Sequence, residues 1–61
     1  MKLTKTETSQ LKGIDIYTDT PLCSVYSDGT MVMFGKIDTQ QLKSVCVILE
    51  NFWLFYNNIT V

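Results

Sequence analysis

The side chains able to do chemistry in this chain are six carboxylates (Glu7, Asp15, Asp19, Asp28, Asp38 and Glu50), two thiols (Cys23 and Cys46), the serines Ser9, Ser24, Ser27 and Ser44, and five lysines. Neither histidine nor arginine occurs anywhere. Without His, the serines lack the usual general base, and the thiols lack the partner that makes a thiolate at neutral pH. Two cysteines and no histidine cannot complete the four-ligand shell of zinc. Two of the acids are claimed by local structure, because Asp28 precedes Gly29 as in a turn and Asp38 stands where a helix N-cap is needed. Asp15 and Asp19 share the outer face of a strand with Tyr17, the ordinary setting of solvated acids. Asp28-Gly29-Thr30 is not a phosphate loop, since no glycine-rich run and no helix start follow it. The chain is therefore read as non-enzymatic, with no cofactor and no metal.

The remaining polar chemistry is binding. Lys2, Lys5 and Lys12 can form a basic arm, with Tyr17 and Tyr26 as stacking faces for a single-stranded nucleic acid. Against this, the net charge is −1, and phosphate binding needs clustered cations, with arginine the usual fork. The longest apolar stretch, Val45 to Tyr56, is interrupted by Glu50-Asn51. As a helix it reaches only ~18 Å against the ~30 Å of a bilayer core. Phe52, Trp53 and Phe55 could anchor such a helix at a membrane surface, but its polar face offers one cation, Lys43. Both are alternatives to a protein partner. The first ten residues hold no apolar run of the kind a signal peptide needs, and two cysteines are too few for a disulfide scaffold. A cytoplasmic protein with two buried, reduced thiols is expected.

The elements that would position these residues follow from periodicity in a chain of 61 residues, which is one domain. Residues 1–12 are polar and read as a short helix or loose arm ending at Gly13. Ile14 to Thr18 alternates with period two and reads as a strand, followed by turn chemistry at Asp19-Thr20-Pro21. Leu22–Ser27 and Thr30–Lys36 are rich in strand formers, and Asp28-Gly29 between them reads as a two-residue hairpin turn with both residues at positive φ. Asp38 and Gln41 form a capping box. From there, Leu42, Val45, Cys46, Leu49, Phe52, Trp53 and Tyr56 recur at helical spacing to about residue 57. A competing pattern ends the helix near Glu50 and makes Phe52–Tyr56 a strand, but the spacing favours one long helix. The expected fold is α+β: a small three-stranded antiparallel sheet over 13–36, in β-β-β-α order, with one amphipathic helix over 38–57 packed on one face.

This plan leaves apolar surface over. With a two-residue turn, Cys23 and Val25 share a face with Val32 and Phe34, while Leu22, Tyr26, Met31 and Met33 share the other with Ser24. One helix covers only one of these faces. On the helix, Phe55, Ile48, Phe52, Val45, Tyr56, Leu49, Leu42, Trp53 and Cys46 fill about half the circumference. Val47 and Leu54, seven residues apart, form a seam on the other half, rimmed by Lys43, Glu50, Asn51 and Asn58. Phe34, Phe52, Trp53 and Tyr56 are expected to supply the core. Two surplus surfaces on a domain too small for one generous core point to protein partners, a second copy among them. The residues singled out for protein binding are Tyr26, Met31, Met33, Val47, Glu50 and Leu54. The expected role is a small adaptor, or an inhibitor of a larger protein of the kind mobile elements encode, acting as a homodimer.

Overall fold

A computed structural model describes residues 1–59. Four strands run in the order β1 (Lys2–Glu7), β2 (Lys12–Tyr17), β3 (Pro21–Tyr26) and β4 (Met31–Met33), followed by α1 (Thr39–Glu50) and α2 (Phe52–Asn58). Each strand pairs antiparallel with its sequence neighbour, giving a four-stranded meander with β1 and β4 at the edges. The fold is α+β as expected, with one strand and one helix more than the pattern indicated.

The additional strand is β1. Residues 2–7 pair along their whole length with β2, Leu3 opposite Ile16 and Lys5 opposite Ile14. Thr4 and Thr6 are strong strand formers, but at a sheet edge only Leu3 is needed as an apolar anchor, so the amphipathic signal is faint. Thr8 closes the β1–β2 loop: its Oγ1 accepts from the backbone N–H of Leu11 at 3.0 Å, and its own N–H donates to the Leu11 carbonyl at 2.8 Å. The segment is neither a helix nor a loose arm.

The β3–β4 hairpin forms, with a register one residue away from the expected one. Among the described residues only Gly29 has a positive φ, at 93°. The Asp28 carboxylate accepts from the Thr30 N–H at 2.9 Å, Gly29 N–H donates to the Tyr26 carbonyl, and Tyr26 N–H donates to the Thr30 carbonyl. This is a three-residue loop, in which a type I turn is followed by a left-handed glycine. Cys23 therefore faces Met33, Val25 faces Met31 and Ser24 faces Val32. A one-residue slip exchanges the faces of β4. Met31 and Met33 lie on the helix side with Cys23 and Val25, and Tyr26 lies on the other side with Ser24 and Val32.

The helices cover one face of the sheet. Ile14, Ile16, Leu22, Cys23 and Val25 from the strands meet Val45, Ile48 and Phe52 from the helices in one buried cluster, with Leu3, Leu49, Phe55 and Tyr56 packed against it. Leu22 joins this core because the β2–β3 register shifts between Ile16 and Tyr17, which leaves Leu22 as an extra residue beside Cys23. The core is mostly aliphatic, at ~1.5–3 kcal/mol for each large side chain removed from water. Phe34 and Trp53, expected inside, are more than half exposed, at 57% and 51%. Leu42 and Cys46 are also exposed, so only Cys23 is a buried thiol.

Helix α1 starts as its sequence dictates. Gln41 N–H donates to the Asp38 carboxylate at 2.7 Å, and Asp38 N–H donates to Gln41 Oε1 at 3.1 Å. The single long helix does not form. Asn51 adopts φ −116° and ψ 40°, and both its backbone N–H and its side-chain amide donate to the Val47 carbonyl. An asparagine side chain competes for backbone partners in this way, and here the competition bends the chain between two helices. Asn58 repeats the device on the Leu54 carbonyl, where α2 ends. Residues 52–58 are helical, so the competing strand over Phe52–Tyr56 is not present; residues 60–61 lie outside the described part.

Candidate interaction surfaces

The face of the sheet away from the helices is open. Across its four strands runs the row Thr4, Asp15, Ser24 and Val32, set by the registers. The Ser24 hydroxyl donates to Asp15 Oδ1 at 2.5 Å, and Ser24 is only 2% exposed. A serine that donates to a carboxylate and is closed off from solvent is a cross-strand tie, not a nucleophile. Tyr26 lies over Gly13, its cross-strand partner, so closely that a Cβ there would meet the ring at 2.6 Å.

Beside the Asp15–Ser24 tie the open face dips into a cup of about 530 Å³. Asp15 lines it, Tyr17, Pro21, Leu22 and Phe34 form apolar walls, and Lys36 is part of its lining. Phe34 is placed there by the residues after β4, where its N–H still bonds the Leu22 carbonyl at 3.0 Å.

The six residues singled out for protein binding fall on separate surfaces. Met31 and Met33 are exposed on β4 at the sheet edge. Tyr26 is half-buried on the open face, so the three do not form one Met/Tyr patch. Val47 is exposed on α1 and lines a second concavity of about 440 Å³ with Leu3, Ile48 and Phe55. Among the described residues Leu54 is the most exposed large apolar one, at 62%, and lies on α2. The turn at Asn51 separates it from Val47, and the continuous seven-residue seam is not formed. Glu50, also exposed, ends α1 between them. Two apolar residues not singled out, Val32 and Phe34, are exposed beside Met31 and Met33. Their strand alternation was legible, but it placed them on the face expected to pack under the helix.

Edge β4 differs from edge β1 in chemistry. From Gly29 to Gly35 the sequence carries no charge, and Met31, Val32, Met33 and Phe34 are all exposed. Edge β1 carries Lys2, Lys5 and Glu7. Charges on an edge are the usual guard against pairing with another chain, and β4 lacks them.

The basic arm is not assembled as one patch. Lys5 and Lys12 converge on the helix side, their ammonium nitrogens 4.9 and 5.8 Å from the centre of the Tyr56 ring. Tyr56 is in turn stacked on Phe52 at 5.6 Å and edge-on to Trp53 at 5.5 Å. Lys2 is paired with Tyr17, in the opposite alternation of β1. Among the described residues no helix is long and apolar enough to cross a membrane. Comparison with protein-family models, curated proteins and solved structures gives no match.

Proposed function

We propose that this chain is a non-enzymatic protein-interaction module that works as a homodimer, an adaptor or an inhibitor of a larger protein, with β4 as the strand through which two copies join. The observation that carries this is the uncharged edge strand whose side chains are exposed on both faces of the sheet. Two antiparallel copies of β4 place apolar against apolar and no like charges against each other. The pairing joins the sheets and extends both faces at once. A standard interface takes ~800 Å² from each partner, roughly a fifth of the 4234 Å² this chain exposes, so a single surface of this kind is a large share of the molecule. The exposed residues Val47 and Glu50 on α1 and Leu54 on α2, away from β4, are then left for the target. Two free thiols suit the reducing cytoplasm.

Light scattering from low micromolar to millimolar concentration tests the reading, alongside Val32→Lys and Met33→Lys. Both positions are exposed, so the variants keep the monomer fold, as circular dichroism will register. The expected result is a wild-type mass twice that of the monomer and monomeric variants. A wild-type monomer at every concentration overturns the homodimer. A dimer that survives both substitutions overturns β4 as its interface.

A further inference from the structure

We infer that the cup on the open face of the sheet is a binding site for a lysine or arginine side chain presented by a partner protein. The inference rests on the protein-binding reading above and supplies the chemistry of one contact. At about 530 Å³, the cup is in the size range that takes a long side chain. Its apolar and its acidic lining residues ask for different parts of one ligand.

The acidic residue of the lining is Asp15. Ser24 holds Oδ1 by a hydrogen bond from β3, so the group is fixed in place by two strands. Among the described residues Asp15 has no second side-chain donor, and no side-chain nitrogen or oxygen is buried without a partner. The other oxygen takes no side-chain hydrogen bond, and Asp15 belongs to the lining of the cup. An ionised carboxylate only accepts, and its strongest partners are cationic donors. Tyr17 and Phe34 are its aromatic residues and Pro21 an exposed aliphatic one. These suit the methylene stem of a lysine or arginine, and the aromatic faces also attract its cationic head. A neutral apolar group would strip water from Asp15 with nothing in return, and an anion would meet the like charge of Asp15 with only the exposed Lys36 to offset it. Lys36, exposed on its flexible stem, is the chain's own competitor for the carboxylate.

The test is an NMR titration of the ¹⁵N-labelled full chain with the acetyl-amide derivatives of lysine, arginine, norleucine and glutamate. The lysine and arginine compounds are expected to shift the amides of Asp15, Tyr17 and Phe34 saturably in the millimolar range, with the other two inert. Asp15→Asn, which still accepts from Ser24, should weaken binding about tenfold, the factor of one charge-assisted hydrogen bond. Lys36→Gln should tighten it. Equal binding of norleucine, full binding by Asp15→Asn, or a preference for glutamate lost in Lys36→Gln each overturns the proposal. The titration reads the cup whatever the oligomeric state, so a failed dimer and a failed cup give separate results.

Discussion

Replacing Gly13 with alanine tests whether the Tyr26 ring and the strand beneath it form one close-packed unit. The new Cβ would stand 2.6 Å from Cδ1 and 2.8 Å from Cε1 of Tyr26, and 3.0 Å from Cγ2 of Thr6. Carbon atoms in contact rest at ~3.5–4.0 Å, so the ring must retreat by about 1 Å. The backbone is not the obstacle, because Gly13 sits in a strand and, among the described residues, Gly29 alone has a positive φ. With the ring absent, alanine would stabilise by ~0.4–1 kcal/mol through the unfolded chain. With the ring present, overpacking costs ~1–3 kcal/mol. The net expectation is a loss of about 1–2 kcal/mol. At ~4–8 °C per kcal/mol for a domain of this size, Gly13→Ala should melt roughly 5–15 °C lower by circular dichroism at fixed protein concentration. The decisive measurement is the cycle with Tyr26→Ala, in which the alanine at position 13 should become neutral or stabilising, a coupling of at least ~1 kcal/mol. An equal cost in both backgrounds, or no cost in the wild type, refutes the reasoning.

Asp38→Ala removes one half of the capping box and should lower stability by ~0.5–2 kcal/mol, read as a fall in the urea midpoint at constant slope. Gly29→Ala forces a side chain to φ 93° and should destabilise by about 1 kcal/mol or more, with NMR chemical-shift changes confined to β3 and β4 if the loop strains locally. Cys46 should react with a thiol reagent in the native state at the rate of a free thiol, while Cys23 reacts only on unfolding. Burial pushes the Cys23 thiol above its ordinary value, so its contribution is present below the unfolded thiol's pKa and is lost as pH rises through the folded one. A chemical-denaturation series into the alkaline range should show that decline, and Cys23→Ala should flatten it.

Much of the fold is legible in local chemistry. Asp28-Gly29 announces a hairpin, Asp38 and Gln41 announce a helix start, and the spacing of Val45, Ile48 and Phe52 identifies residues that are buried in the structure. Alternation at Ile14 and Ile16 likewise gives a strand and its inner face. These signals are legible because each depends on neighbours within about four residues. The candidate surfaces are less so. Met31 and Met33 are recognisable as surplus, but whether they sit beside Tyr26 depends on the register, and the register depends on whether one or two turn residues take positive φ. In the structure Gly29 takes positive φ and the Asp28 carboxylate accepts from the Thr30 N–H, a pairing composition does not state.

Sequence alone determined that this chain has neither histidine nor arginine, that its acids and cations nearly balance, and that its apolar residues exceed what one small core holds. Only the tertiary structure decided where the excess lies. Residues 2–7 became a strand because β2 offered them a ladder, though their own pattern is weak. Asn51 broke the apolar helix because its amide reaches the Val47 carbonyl, separating Val47 from Leu54. Phe34 and Trp53 were left outside because Ile14, Ile16, Leu22 and Val25, meeting Val45, Ile48 and Phe52, already fill the space between one sheet face and two short helices. Asp15 and Ser24, nine residues apart and unremarked by any motif, became a fixed pair because an antiparallel register set them opposite each other. Periodicity reports which side chains prefer to leave water. The number of such places is set by how many strands and helix turns meet, and that is a property of the assembled chain.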